Sequence, residues 1–212
     1  MNVSVQKLGL RLLLAASLAA SLSACFPVMV GGAVMGGLMV TDRRTTGAQV
    51  EDEGIELRAM GRIREALAER AHVNVTSYNR QVLLTGEAFT AQDKQQAEQI
   101  AAQVANVRNV VNEVAVLPSS TLTQRSSDSL VTGRIKAGLV DKPELSANAF
   151  KVVTERGITY LMGRVTQGEA DLATEVVRGT SGVQKVVRVF EIISEAELQQ
   201  LLLKSPANET KK

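Results

Sequence analysis

Three short stretches of the chain occur twice, in the same order, and this duplication limits the fold more than any other feature. Gly61-Arg62-Ile63-Arg64 returns as Gly133-Arg134-Ile135-Lys136, and Leu84-Thr85-Gly86 returns as Leu161-Met162-Gly163. Val107-Arg108-Asn109-Val110-Val111 returns as Val183-Gln184-Lys185-Val186-Val187. The offsets are 72, 77 and 76, which gives the second copy about five extra residues, at Asp141 to Leu145, and then the loss of one. A 212-residue chain repeating in this way is two homologous modules of about 70 residues rather than one larger domain.

Each copy reads as the same elements. In the first, Ala59, Ile63, Ala66 and Leu67 recur at helical spacing, and Val73, Val75, Val82 and Leu84 alternate on either side of a turn at Asn79-Arg80. Thr90 with Asp93 has the spacing of an N-cap box and opens a helix faced by Ala97, Ile100, Ala101 and Val104; a last strand runs from Val107 to Val116. In the second, Val131, Ile135 and Leu139 give the helix stripe, and Phe150, Val152 and Thr154 lead to a turn at Arg156-Gly157. Thr166 with Glu169 caps a helix faced by Ala170, Ala173, Thr174 and Val177, and Val183 to Ile193 is the final strand. The expected fold is α+β: two tandem αββαβ modules, over 51–117 and 122–193. A hairpin followed by a crossover helix implies a three-stranded mixed sheet, the last strand parallel to the second and two helices on one face. Modules this small bury only about 60% of their unfolded surface, so the two are expected to pack together.

The ends carry a different signal. Lys7 and Arg11 precede an apolar run from Leu12 to Leu22, too short for a spanning helix, so 1–24 reads as a secretory signal peptide. It ends in Leu22-Ser23-Ala24-Cys25, which resembles the bacterial lipobox and makes Cys25, the only Cys, the expected site of acylation. Residues 25–50 form a lipidated Gly-rich tether. In it, Gly32 and Gly36 either let two helices approach closely or simply keep the segment flexible against the lipid surface. Thr41 to Val50 reads as an extended lead. Residues 194–212 give a short helix, capped by Ser194 and Glu197 and faced by Leu198, Leu201 and Leu202, then a polar tail expected to be disordered.

The inventory excludes much chemistry. Aromatics are 3% of the chain, there is no Trp, and 24 basic residues face 22 acidic ones, so neither a stacking platform nor a basic footprint for nucleic acid is present. His72 is the only His, which makes a metal site improbable, and the serines from Ser119 to Ser129 lack a Gly-x-Ser-x-Gly elbow. The paired glycines near Gly31 lack the Lys-Ser/Thr of a phosphate loop. No catalytic residue, metal or cofactor is expected.

The repeated αββαβ order, the hairpin ending in Leu-x-Gly, and the Gly182-Val183 opening of the last strand behind a lipobox resemble the BON-domain family. Asp42-Arg43-Arg44-Thr45-Thr46-Gly47 and Tyr160-Leu161-Met162-Gly163 fit its dual-domain lipoproteins of the Gram-negative outer membrane. The first copy departs in having Asn106 where the second has Gly182. The resemblance implies a non-enzymatic, palmitate-bearing protein of the periplasmic side that maintains envelope integrity, binds anionic phospholipid through its second module and gathers at the division site. Phe26, where an Asp after the acylated Cys commonly retains such proteins in the inner membrane, fits outer-membrane sorting.

The residues support the lipid reading independently. On a wheel at 100° per residue, Val131, Ile135 and Leu139 span about 80° facing the core, while Leu130, Gly133, Arg134 and Ala137 fall opposite. Shifted by 72, the first copy shows Arg58, Gly61, Arg62 and Glu65 there, a solvated face. Charge agrees: 7 basic and 10 acidic residues lie between Ala48 and Leu117, against 10 basic and 8 acidic between Leu122 and Ile193. The expected contacts to an anionic membrane are Leu130, Gly133, Arg134, Lys136, Ala137 and Arg125. The alternative is that Leu130 packs on the first module or the C-terminal segment and that the protein, expected to be a monomer, is an adaptor for outer-membrane assembly or cell-wall remodelling proteins.

Overall fold

The computed structural model describes residues 42–203. The signal peptide, Cys25, the Gly-rich tether from Val28 to Val40 and the tail from Ala207 lie outside the described residues.

The first module runs α1 (Thr46–Leu67), a 3-10 turn (Ala68–Arg70), β1 (Ala71–Tyr78), β2 (Gln81–Ala88), α2 (Ala91–Ala102), β3 (Asn109–Asn112) and β4 (Ala115–Val116). The second runs α3 (Leu122–Val140), a 3-10 turn (Ala147–Ala149), β5 (Phe150–Glu155), β6 (Ile158–Val165), α4 (Gln167–Arg178) and β7 (Lys185–Ile192), followed by α5 (Glu195–Leu203). In each, the hairpin is antiparallel and the last strand lies parallel to the second, as a right-handed crossover helix requires. Threonine or serine side chains accept a backbone N–H at the starts of the five helices among the described residues; at Thr166 and Glu169 the box is reciprocal.

Two expectations are corrected. Thr41 to Val50 is not an extended lead throughout: Thr45 caps α1, which is helical from Thr46. The last strand of the first module is not continuous either, but breaks into β3 and β4 at Glu113-Val114, beside Gly86, whose φ is +104°. Gly86 and Gly163 close the two Leu-x-Gly motifs because a Cβ there would stand 2.1 Å from the His72 carbonyl oxygen and 2.4 Å from that of Ala149. Asn106 takes the same left-handed bend as Gly182, with φ of +70° and +100°; Asn tolerates that region better than other side chains.

A third correction concerns the repeat. In both modules one buried Asp of the first helix accepts both N–H groups of the hairpin turn: Asp52 from Asn79 and Arg80, each at 2.7 Å, and Asp128 from Arg156 and Gly157 at 2.8 and 2.9 Å. Asp52 and Asp128 are 76 apart, matching the later offsets, so the offset of 72 is wrong by one helical turn and no five residues are inserted at Asp141 to Leu145. A slip of four residues returns the same face of a helix, which is why the short match deceives.

Helices cover one face of each sheet, around Ile55, Ala59, Leu84 and Ala97 in the first module and Ile135, Leu161, Val165 and Ala173 in the second. The opposite sheet faces pack on each other: Tyr78 and Leu83 from one module meet Tyr160, Met162 and Val189 from the other in a third cluster. The order of layers is therefore α/β/β/α, and β2 and β6 are buried on both sides. Side chains also cross the seam, with Lys151 donating to Glu56 at 2.6 Å, Asn79 to Glu191 at 2.6 Å and Arg156 to Glu87 at 3.1 Å.

Asp42 to Thr45 straps the modules. The Arg43 guanidinium, 8% exposed, belongs by sequence to the first module yet donates to Glu169 at the start of α4 and to the Arg164 carbonyl. Its neighbour Arg44 stays home, paired with Asp42 and Asp52 and lying 4.3 Å over the Tyr78 ring.

Candidate functional site

Thr121 starts α3, whose 19 residues extend about 28 Å at 1.5 Å per residue. Asp128, Val131, Ile135 and Leu139 are its buried residues. The opposite face carries Leu122, Leu130 and Val140, which are 79%, 63% and 68% exposed, an unusual cost for large apolar side chains. Between them Gly133 has nothing within 4 Å of where a Cβ would stand, and Ala137 is exposed. Asp128 is the only acidic residue of α3, and it is buried against the turn. The outward surface of α3 thus holds cations and no acid.

The structure brings Leu130, Gly133, Arg134 and Ala137 together on this outward face. The Arg134 guanidinium is exposed, with one long hydrogen bond, 3.4 Å, to the Ser181 carbonyl. Lys136 sits on a flank, where it lines a cavity of about 430 Å3. Arg125 is not among them: half-buried, it donates from Nε to the Ser120 hydroxyl at 3.1 Å and lines a second cavity, of about 510 Å3, with His72 and Asn74 of the first module. Leu122 and Val140 were missed by the sequence reading, although the same wheel centred on Leu130 carries both about 80° to one side.

With the offset corrected to 76, the counterparts of Leu130, Gly133, Arg134 and Ala137 in α1 are Gly54, Leu57, Arg58 and Gly61. Leu57 and Val50 are exposed there too, at 73% and 65%, so the first module's outer face carries large apolar side chains that the solvated face read with the offset of 72 did not include. What separates the helices is acid: α1 carries Glu51, Glu53, Glu56 and Glu65 besides Asp52.

Elsewhere, charges serve the fold. Burial alone would raise the carboxyl of Asp52, but hydrogen bonds from the Arg80 N–H, Ser77, Arg44 and the Asn79 N–H outweigh it and hold it below the usual range. Glu169 is lowered in the same way, burial being overcome by Arg43 and the Thr166 N–H. Burial pushes the Tyr78 hydroxyl up to about 12, so it remains a donor, 3.3 Å from the Ala149 carbonyl. His72 lies with Nδ1 3.5 Å from Glu87 Oε2 in the seam, and among the described residues no group of three or more metal-ligating side chains gathers. Nor is any described helix long and apolar enough to cross a membrane.

The BON domain model matches residues 52–118 and 127–194, a spacing that agrees with the offset set by Asp52 and Asp128. Outer membrane lipoprotein DolP of Haemophilus influenzae is 34% identical over 174 residues, covering 81% of this chain and 90% of that protein. The 21 kDa hemolysin of Actinobacillus pleuropneumoniae is 36% identical over 154 residues, 72% of this chain and 79% of the relative. A solved structure of CdsD, a structural protein of the type III secretion system of Chlamydia trachomatis, is 15% identical over 74% of this chain and 99% of its own, at a TM-score of 0.29. Two matched domains and identity over most of the chain leave one conclusion: the chain belongs to the BON-domain family, among its dual-domain, DolP-like outer-membrane lipoproteins.

Proposed function

We propose that this lipoprotein is a non-enzymatic protein of the periplasmic side that maintains envelope integrity by seating the outward face of α3 on anionic phospholipid. One observation carries the reading: Leu122, Leu130 and Val140 stand exposed along a helix whose surface has Arg134 and Lys136 and no acid. Each cation near an anionic surface contributes about 1 kcal/mol, and burying a Leu adds about 1.5 to 3 kcal/mol. The chain enters the folded unit at Asp42, which lines the same cavity as Lys136 and Val140. Acyl groups on Cys25, palmitate among them, would then hold the protein at high effective concentration over its target. The family resemblance supports gathering at the division site.

Flotation of residues 41–212 with phosphatidylglycerol vesicles tests this without the anchor. The unaltered chain floats, and Leu130→Glu with Arg134→Glu lowers the floated fraction at least tenfold. Unchanged flotation of the variant rejects the face. A second reading, an adaptor for outer-membrane assembly or cell-wall remodelling proteins, is favoured by the exposed Val50 and Leu57 among mixed charges on α1. An adaptor alone floats no better than background.

A further inference from the structure

The cavity of about 430 Å3 joins Asp42 and Arg44 of the strap and Tyr78 of β1 to Lys136 and Val140 of α3 and Phe150 to Val152 of β5. Its size lies within the range of small-molecule sites. The charges on its wall are unequal in availability. Arg44 is taken up by Asp42 and Asp52. Lys151 gives two of its three protons to Glu56 Oε1 and the Ser77 carbonyl, which leaves one. Lys136 is exposed and enters no hydrogen bond or ion pair among the described residues. Arg44 and Lys151 are matched by Asp42, Asp52 and Glu56, which leaves Lys136 as the unpaired cation of the wall among the described residues, and the apolar members are Tyr78, Leu139, Val140, Ala147, Phe150 and Val152.

We infer that this cavity holds the phosphodiester headgroup of one anionic phospholipid, with Lys136 and the remaining proton of Lys151 on the phosphate and the first acyl carbons on Val140. A cationic rim beside apolar walls matches an amphiphile better than a free anion, and Val140 makes the cavity continuous with the apolar stripe of α3. The inference rests on the proposed seating of α3 and adds to it a stoichiometric site, where that reading alone needs only a charged, greasy surface.

The full acylated protein in nanodiscs containing a phosphatidylglycerol with a photoactivatable headgroup provides the test, cross-linked residues being read by mass spectrometry. Cross-links are expected at Asn148 and Lys151 as well as along α3. Lys136→Gln should reduce those at Asn148 and Lys151 about tenfold relative to those at Leu122 and Leu130, which lose only the contribution of one surface cation among several. Cross-links along α3 but none at Asn148 or Lys151, or none that respond to Lys136→Gln, overturn the headgroup site while the seating of α3 stands. Absence of cross-links from α3 itself overturns both. Inorganic phosphate in excess should leave the pattern intact; loss of the Asn148 and Lys151 cross-links to phosphate assigns the cavity to a free anion and overturns the lipid assignment. The substitution is on an exposed side chain, and an unchanged melting temperature confirms that the fold is intact.

Discussion

Arg43 and Glu169 lie 126 positions apart and meet through two hydrogen bonds of 2.7 and 2.5 Å, the one charge pair by which the strap before α1 grips the far module's α4. Glu169 is also the reciprocal member of the α4 capping box, so one carboxylate serves a helix start and a module junction. Arg43→Ala leaves that carboxylate buried without its partner and should cost about 3 kcal/mol. Urea unfolding, followed by the ellipticity of both modules together, measures it.

Acid should act through the same groups. The lowered carboxyls of Asp52 and Glu169 contribute stability that is complete above the unfolded value of about 4.3 and is lost as pH falls through their lower folded values. Glu155 has the opposite sign: burial raises it, so protonation on acidification relieves the folded state. Stability should therefore drop below about pH 4, while on the way down to that range the unaltered chain gains stability that Glu155→Gln does not. A curve that is flat through this range contradicts the assignment.

The two turn clasps should differ in strength. Asp128 holds a turn whose second residue is Gly157, whereas Asp52 holds Asn79 and Arg80, both non-glycine residues at positive φ. Removing either carboxylate leaves buried N–H groups unpaired, at about 1 to 3 kcal/mol. Asp52→Ala should cost more than Asp128→Ala, and Arg80→Gly should recover part of the loss; denaturation midpoints of the four proteins decide the order.

Much of this architecture was legible because the patterns that encode it are local. The alternation read at Val82 and Leu84 placed the hairpin but passed over Val82-Leu83-Leu84 and Tyr160-Leu161-Met162 as continuous apolar runs, the signature of strands covered on both faces, which lie at the seam between the sheets. Thr166 and Glu169 announced their helix outright. The register between the copies was not legible in α1 and α3, since a four-residue slip keeps apolar residues inward; only the long-range clasp of Asp52 and Asp128 fixes it. The strap was missed because two arginines in a polar lead look solvated until a distant Glu169 is brought beside one of them. Arg125 was grouped with the outward cations because sequence gives its charge but not the Ser120 hydroxyl that turns it into the seam.

Gly133 separates stability from function on the outward face. Nothing stands within 4 Å of a Cβ there, so Gly133→Ala should stabilise α3 by about 1 kcal/mol. If the small side chain lets headgroups approach the helix, the same substitution weakens vesicle binding while raising the melting temperature. Gly163→Ala, with a carbonyl oxygen 2.4 Å from the added atom, should instead destabilise severely.

The layer order makes the central claim directly measurable, because α1 and α3 form opposite outer layers. Single nitroxide labels at Leu122, Leu130 and Val140 on α3, and at Val50 and Leu57 on α1, report immersion through their relative accessibility to oxygen and a water-soluble nickel chelate on phosphatidylglycerol bilayers. All three α3 positions should lie in the lipid interface and both α1 positions in water. Equal accessibility at the two helices, or immersion of α1 alone, contradicts the account.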